Sequence, residues 1–512
     1  MPFVDLNTKS PADYRIPDAD TVIVGAGAAG ILLAVTLSKK GRKVLVLESG
    51  HFREDEEKQQ LNEVGQTGKK VENAVWGRKR VVGGTTTAWG GQSLPFSPLD
   101  FERRQWVDNS GWPISFDEVN AYYDKANAFM GIDTMNYSDD IFPKIRLKNP
   151  GINPSIFDYH VSKWANEPNF HAMYGDYLKE NITLLYNAHL YRIGKGNGNK
   201  IDHIEVINFN KELFVAKPGV LIITAGGIET VRILLNNDLG GSSGLLGKYF
   251  MEHPCLEIGK VIPDSGYNLQ RHFNTHVWKR RKYGIRLSLD SHFQRTHRLL
   301  NCSASIMFMP PSQGFDPYAE LRSFKRGLTI KGLIKVAGSS PEIAASALAY
   351  LKNKFYYKKN AIPTLSLMIE QEPVRTSYIT LGKEMDRFGL PKAVINWDIS
   401  PKTWETVIAA SEALKTELQR LQFGRVELYD HIKAGSTGWI DYLSDVNHHM
   451  GGCRMSASPT EGIVDKNLQV WDVPNLYICS CAVFPTSSHS NPTLTLLALS
   501  LRLCDLLTTT NN

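Results

Sequence analysis

The chain has 512 residues, 42% of them apolar and 21% charged, with a net charge of +6 from 58 basic and 52 acidic side chains. This is the composition of a folded protein, long enough for one large or about three ordinary domains. It excludes a disordered tail, a collagen-like rod and a disulfide miniprotein, and the balanced charge does not suggest a nucleic-acid partner. The 6 cysteines form no C-x-x-C pair, so neither a zinc spacing nor a disulfide framework is legible. The opening residues lack a basic-then-apolar leader pattern, and no apolar stretch reaches spanning length. We therefore expect reduced thiols and a cytoplasmic setting.

In chain order, DTVIV (20–24) reads as a buried strand. GAGAAG follows, then a helix through ILLAVTLSKKG ending at Gly41, then a second strand, KVLVLESG. Gly25, Gly27 and Gly30 fit G-x-G-x-x-G, and Glu48 lies 23 residues after Gly25. Glycines allow the turn to approach a pyrophosphate, the helix N-terminus faces its charge, and the acid accepts from ribose hydroxyls. The unit indicates a dinucleotide without separating FAD from NAD.

VVGGTTTAWGG (81–91) is a second glycine cluster, offering backbone N–H groups and hydroxyls at close range. Ser115 or Asp117 is predicted to cap a helix through Tyr122 and Tyr123. KPGVLIITAGGIETVRILL (217–235) repeats the strand, glycine turn and helix, and extends the same parallel sheet. Residues 256–440 mix strands (SYITLGK, KAVINWDI) with a long helix (TWETVIAASEALKTELQRL) and read as a second, substrate-facing region. Nine basic side chains against a single acid put +8 into residues 322–360, leaving −2 for the rest of the chain. Within it, 340–356 is predicted to form a helix capped by Ser340. It is a solvated face, a peripheral membrane contact, or a dock for an acidic carrier protein or an anionic substrate. The C-terminal block holds the strand NLYIC and an apolar helix over Thr493–Leu507. On its own, Asn491-Pro492 reads as a helix cap followed by an N1 proline.

Taken in this order, GxGxxG with Glu48, GGTTTAWGG, SGWPIS, TAGGIET and the block H-x-x-G-x-x-R-M … N-L-Y … F-P-T … N-P-T-L-T resemble the glucose–methanol–choline (GMC) flavoprotein oxidoreductases. The FMEHP (250–254) and EQEP (370–373) segments look like bacterial members acting on sugars or glycosides. The resemblance implies a Rossmann-like FAD-binding domain from residues 1–100, 181–255 and 441–512. An α+β substrate domain on an antiparallel sheet then comes from 101–180 and 256–440. It implies FAD contacts from Gly25, Gly27, Ala28, Ala29, Gly30, Glu48, Ser49, Gly83, Gly84, Thr85, Thr87, Ala88, Trp89, Gly90, Gly91, Ala188, His189, Ala225, Gly226, Ser480, Cys481, Asn491, Pro492 and Thr493.

In the family, a His and a second His or Asn face the substrate hydroxyl; the spacing selects His448, and Asn491 takes the other place. His448 would accept the hydroxyl proton and Asn491 would donate to the developing alkoxide. His449, His253 and His489 read as structural, with His489 within reach of the substrate pocket. Some relatives attach FAD through a His where this chain has Ala88, so we expect non-covalent FAD. Ser480 stands where many relatives have an acid. The implied reaction is oxidation of a primary or secondary alcohol, on a sugar or glycoside, with O₂, a quinone or a protein carrier as electron acceptor. The alternatives are a non-sugar or lipid-linked alcohol at a membrane surface, a nicotinamide enzyme, and a flavin-binding protein without turnover.

Overall fold

A computed structural model describes residues 3–309, 348, 352, 355–433, 435–436 and 438–509. The basic segment 322–360 and the helix expected over 340–356 fall outside the described residues, apart from 348, 352 and 355–360.

A six-stranded parallel sheet organises the dinucleotide-binding half. Its strands are β1 (Phe3–Asp5), β2 (Ala19–Val24), β3 (Val44–Leu47), β4 (Thr183–Tyr186), β5 (Pro218–Ile223) and β6 (Leu476–Ile478), in the order β1-β4-β3-β2-β5-β6. Val22, Ile23 and Val24 in β2 and all of β3 are buried, as expected for strands covered on both faces. Three helices follow glycine or polar turns at strand ends: α1 (Ala28–Lys39), α2 (Gly226–Asn236) and the closing helix α3 (Pro492–Thr509), which packs on α1.

The second region is an antiparallel sheet. Its order is Arg425–Leu428, Cys255–Ile262, Ile362–Ile369, Cys302–Met309, Arg281–Leu289, Phe157–Trp164 and Gln92–Ser93, with Thr275–Trp278 also pairing Arg281–Leu289. The long helix Pro401–Arg420 packs against two of these strands, burying Val407, Ala410, Leu414 and Leu418. Two pairings cross the boundaries expected from sequence. Gln92 and Ser93 pair with Trp164 and Lys163, and Val64–Gly68 runs parallel to Pro391–Trp397.

Local differences have local causes. Ser115 does cap, sharing a capping box with Glu118, but that helix covers only Phe116–Asn120 before a second begins at Tyr123. The last helix starts at Pro492, whose fixed φ suits the first helical position. Cys479 and Cys481 lie just beyond β6, and all 6 cysteines are free thiols. No helix among the described residues is long and apolar enough to cross a membrane.

Candidate active site

The C-terminal ends of β2, β3 and β5 open into a cavity of about 660 Å³. Its floor is the β2–α1 turn. Gly25 has φ +105°, and Gly30 touches the turn so closely that a Cβ there would stand 1.9 Å from the Gly25 carbonyl oxygen. Thr224 Oγ1 donates to that carbonyl at 2.8 Å, tying β5 to the turn. Gly27 begins α1 with no side-chain cap, no acid in the first turn, and open space where a Cβ would be. The first N–H groups of α1 are therefore left for an anion at the cavity floor. Ala225 likewise begins α2 with no side-chain cap.

Glu48 is buried at the end of β3. Its Oε2 accepts from the Ala26 N–H at 2.9 Å and its Oε1 from the Gly50 N–H at 2.7 Å. Burial raises its pKa, while these two N–H groups and Arg80 pull it back down. Each oxygen retains accepting capacity. Arg80 Nη1 donates to Ser49 Oγ at 2.8 Å, and Arg80 Nη2 pairs with Glu229 at 2.9 Å. The GGTTTAWGG loop lies across the β2–α1 turn, with Gly84 against Gly27: a Cβ on Gly84 would sit 2.8 Å from the Gly27 Cα. Trp89 Nε1 donates to the Pro168 carbonyl at 2.8 Å and pins the loop.

Of the sequence-selected positions, Gly25, Gly27, Ala28, Ala29, Glu48, Ser49, Gly84, Thr85, Ala88, Trp89, Gly90, Gly91, Ala188, His189, Ala225, Gly226, His448, Ser480, Cys481, Asn491, Pro492 and Thr493 line this one cavity. Gly30, Gly83 and Thr87 do not. Gly30 serves the helix–turn contact, Gly83 adopts φ +104°, and Thr87 Oγ1 donates back to the Gly84 carbonyl at 2.8 Å. The loop Asn73–Arg80 also reaches the cavity, through Asn73, Trp76, Arg78 and Arg80. Nothing in its sequence signals this, since it carries no glycine cluster.

The far wall holds His448 and Asn491, with His448 Nε2 3.4 Å from the Asn491 amide nitrogen. Burial holds the His448 pKa well below 6.5, and neighbouring His253 and His449 lower it further. At neutral pH the ring is therefore an uncharged base. His449 also lines the cavity, with its Nε2 3.5 Å from the buried Glu252. His489 Nε2 bonds Ser288 Oγ at 2.9 Å and does not line this cavity. His253 contacts His448 directly, its Nδ1 standing 2.8 Å from His448 Nδ1.

Segments far apart in sequence hold this wall. Glu370 forms a fully buried bidentate pair with Arg104 at 2.7 and 2.5 Å. Gln371 receives the Glu252 N–H at 2.9 Å and Trp397 Nε1 at 2.8 Å, and its own N–H reaches Ser487 Oγ at 2.9 Å. Ser488 Oγ donates to Asp100 at 2.8 Å. The FMEHP and EQEP segments thus meet beneath the turn that delivers Asn491.

Residues 373–500 match the family model described as GMC oxidoreductase, and residues 23–52 match a NAD(P)-binding Rossmann-like domain. Over these 128 residues the chain is similar to the GMC oxidoreductases. It is 24% identical to a 2-methyl-1,2-propanediol dehydrogenase of Mycolicibacterium austroafricanum, over 95% of this chain and 94% of that protein. It is 23% identical to a fructose dehydrogenase large subunit of Gluconobacter japonicus, over 95% and 97%. To a paromamine 6'-oxidase of Streptomyces fradiae it is 24% identical, over 94% and 90%. The solved pyridoxine 4-oxidase from Mesorbium loti shares its fold, with TM-score 0.55 and 15% identity over 96% of this chain and 99% of that one. The GMC oxidoreductases it resembles are flavin-dependent enzymes. The uncapped start of α1, the bare glycine turns and the buried Glu48 fit an FAD.

Proposed function

We propose that this enzyme oxidises a primary or secondary alcohol on a small polyhydroxylated substrate, a sugar or glycoside. The observation that carries this reading is the His448–Asn491 pair, 3.4 Å apart, on the wall of the cavity whose floor is the dinucleotide turn. The relatives' names, covering a diol, a fructose and an aminoglycoside, support a hydroxyl-rich substrate class.

FAD, when bound, supplies the acceptor for the hydride leaving the alcohol carbon. Its pyrophosphate would be held by Gly25, Gly27 and the first N–H groups of α1, and its ribose by Glu48. Ala88 lines the cavity without a nucleophilic side chain, so FAD would be held there without a covalent bond. His448 Nε2 takes the hydroxyl proton as the alcohol becomes a carbonyl. Asn491 Nδ2 donates to the oxygen while it carries negative charge. Pro492 starts α3, so the positive end of that helix dipole also faces the cavity.

The test is the visible spectrum of the flavin-loaded protein under anaerobic conditions, titrated with sugars, glycosides, diols and long-chain alcohols. We expect bleaching by a polyhydroxylated compound. Bleaching by NADH alone, or by long-chain alcohols alone, would overturn the assignment. Admitting air then separates O₂ from a quinone or protein carrier as the electron acceptor.

A further inference from the structure

We propose that His253 is a positioning residue that fixes His448 as its Nδ1–H tautomer, leaving Nε2 bare towards the substrate. The inference rests on His448 being the base, and adds the device that makes it one.

The argument is one of donors and acceptors. His253 Nε2 lies 3.0 Å from the Ser487 carbonyl oxygen. A carbonyl only accepts, so Nε2 carries a hydrogen. A neutral imidazole has one N–H, which leaves His253 Nδ1 with a lone pair. His448 Nδ1 stands 2.8 Å from that lone pair, so the shared hydrogen belongs to His448. His448 Nε2 is then unprotonated, and it faces the Asn491 amide nitrogen. The two rings stand nearly perpendicular, at 87°, with centroids 4.9 Å apart.

The chain of bonds begins in rigid structure. Gln371 accepts from Trp397 and donates through its backbone to Ser487, whose carbonyl holds His253. His253 is fully buried, and burial lowers its pKa to about 4, which keeps it neutral. A protonated His253 would donate from both nitrogens and force His448 into the opposite, non-basic tautomer. The other titratable groups near the pair are His449, Glu252, His489 and Glu370.

When His448 takes the substrate proton at Nε2, its Nδ1–H keeps pointing at His253. That bond becomes charge-assisted and strengthens. His253 does not pass the proton on, because its own N–H faces a carbonyl. One proton is therefore stored on His448 for each alcohol oxidised, and it leaves from Nε2.

The experiment is long-range ¹H–¹⁵N correlation on flavin-loaded protein labelled at histidine nitrogens, with His448 and His253 assigned by substitution. We expect His448 to be protonated at Nδ1 and bare at Nε2, and His253 to show the reverse pattern. His253→Asn places an acceptor oxygen near the Nδ1 position and should keep the His448 tautomer and much of the turnover. His253→Phe removes the acceptor and should lower kcat by roughly 10–10³-fold, with KM little changed and the acid limb of the kcat profile displaced. A His448 protonated at Nε2 in the unsubstituted protein would overturn the proposal, as would His253→Phe with unchanged kcat and pH profile. Should His253→Phe fail to fold, the unsubstituted spectrum still decides. The tautomer is read without substrate, so a wrong substrate class leaves this result standing.

Discussion

The two walls of the cavity are built in opposite ways. The dinucleotide side comes from contiguous motifs: a turn, a helix start and a loop, each legible within about ten residues. The histidine side comes from four segments, near residues 250, 370, 447 and 488, joined by buried hydrogen bonds. A backbone-lined site needs glycines in sequence, because a Cβ would occupy the space. A side-chain site needs only that remote residues arrive together, so its support is spread over the whole fold.

That contrast predicts where each side breaks. The largest effect should come from the buried ion pair beneath the histidine wall. Glu370→Ala leaves Arg104 charged and unpaired, and should destabilise the protein by about 3–5 kcal/mol. Denaturant unfolding checks this; a loss under about 1 kcal/mol would mean that the wall does not depend on the pair. Asn491→Ala should slow turnover by about 10²-fold through the lost alkoxide donor. A melting temperature measured alongside separates this from loss of a helix cap, worth about 1 kcal/mol.

Acidification should weaken the fold gradually. Burial lowers the pKa of His253 to about 4 and those of His449, His489, His160 and His189 to about 3. Unfolded, each titrates near 6.5, so below that pH the unfolded chain binds more protons and stability falls towards the folded values. Glu48 and Glu252, whose burial raises their pKa, act in the opposite sense, but the histidines outnumber them. The expected outcome is a melting temperature that drops from pH 7 to pH 5; a constant or rising value would contradict the neutral assignments.

The sequence carried most of the dinucleotide side. G-x-G-x-x-G, Glu48 and the TAGGIET turn occupy the places their spacing implies, because strand, glycine turn and helix are local. Gly30 shows the limit: the motif names it beside Gly25 and Gly27, yet it is spent on helix packing rather than on the cavity. His448 and Asn491 were legible only as a joint pattern with the rest of the block. His253 was not, because a histidine beside a proline gives no sign that a serine carbonyl 234 residues away will orient it. Arg80 escaped for the same reason, since its burial is a tertiary fact.

The most direct test of the central claim is the anaerobic rate of flavin reduction by a saturating reducing sugar substrate in His448→Ala. With His448 as the base, the rate should fall by roughly 10²–10⁴-fold while the bound flavin spectrum is retained. A variant that keeps its flavin and reduces it within about twofold of the unsubstituted rate would contradict the account, since a 10²-fold effect is about 2.7 kcal/mol of barrier.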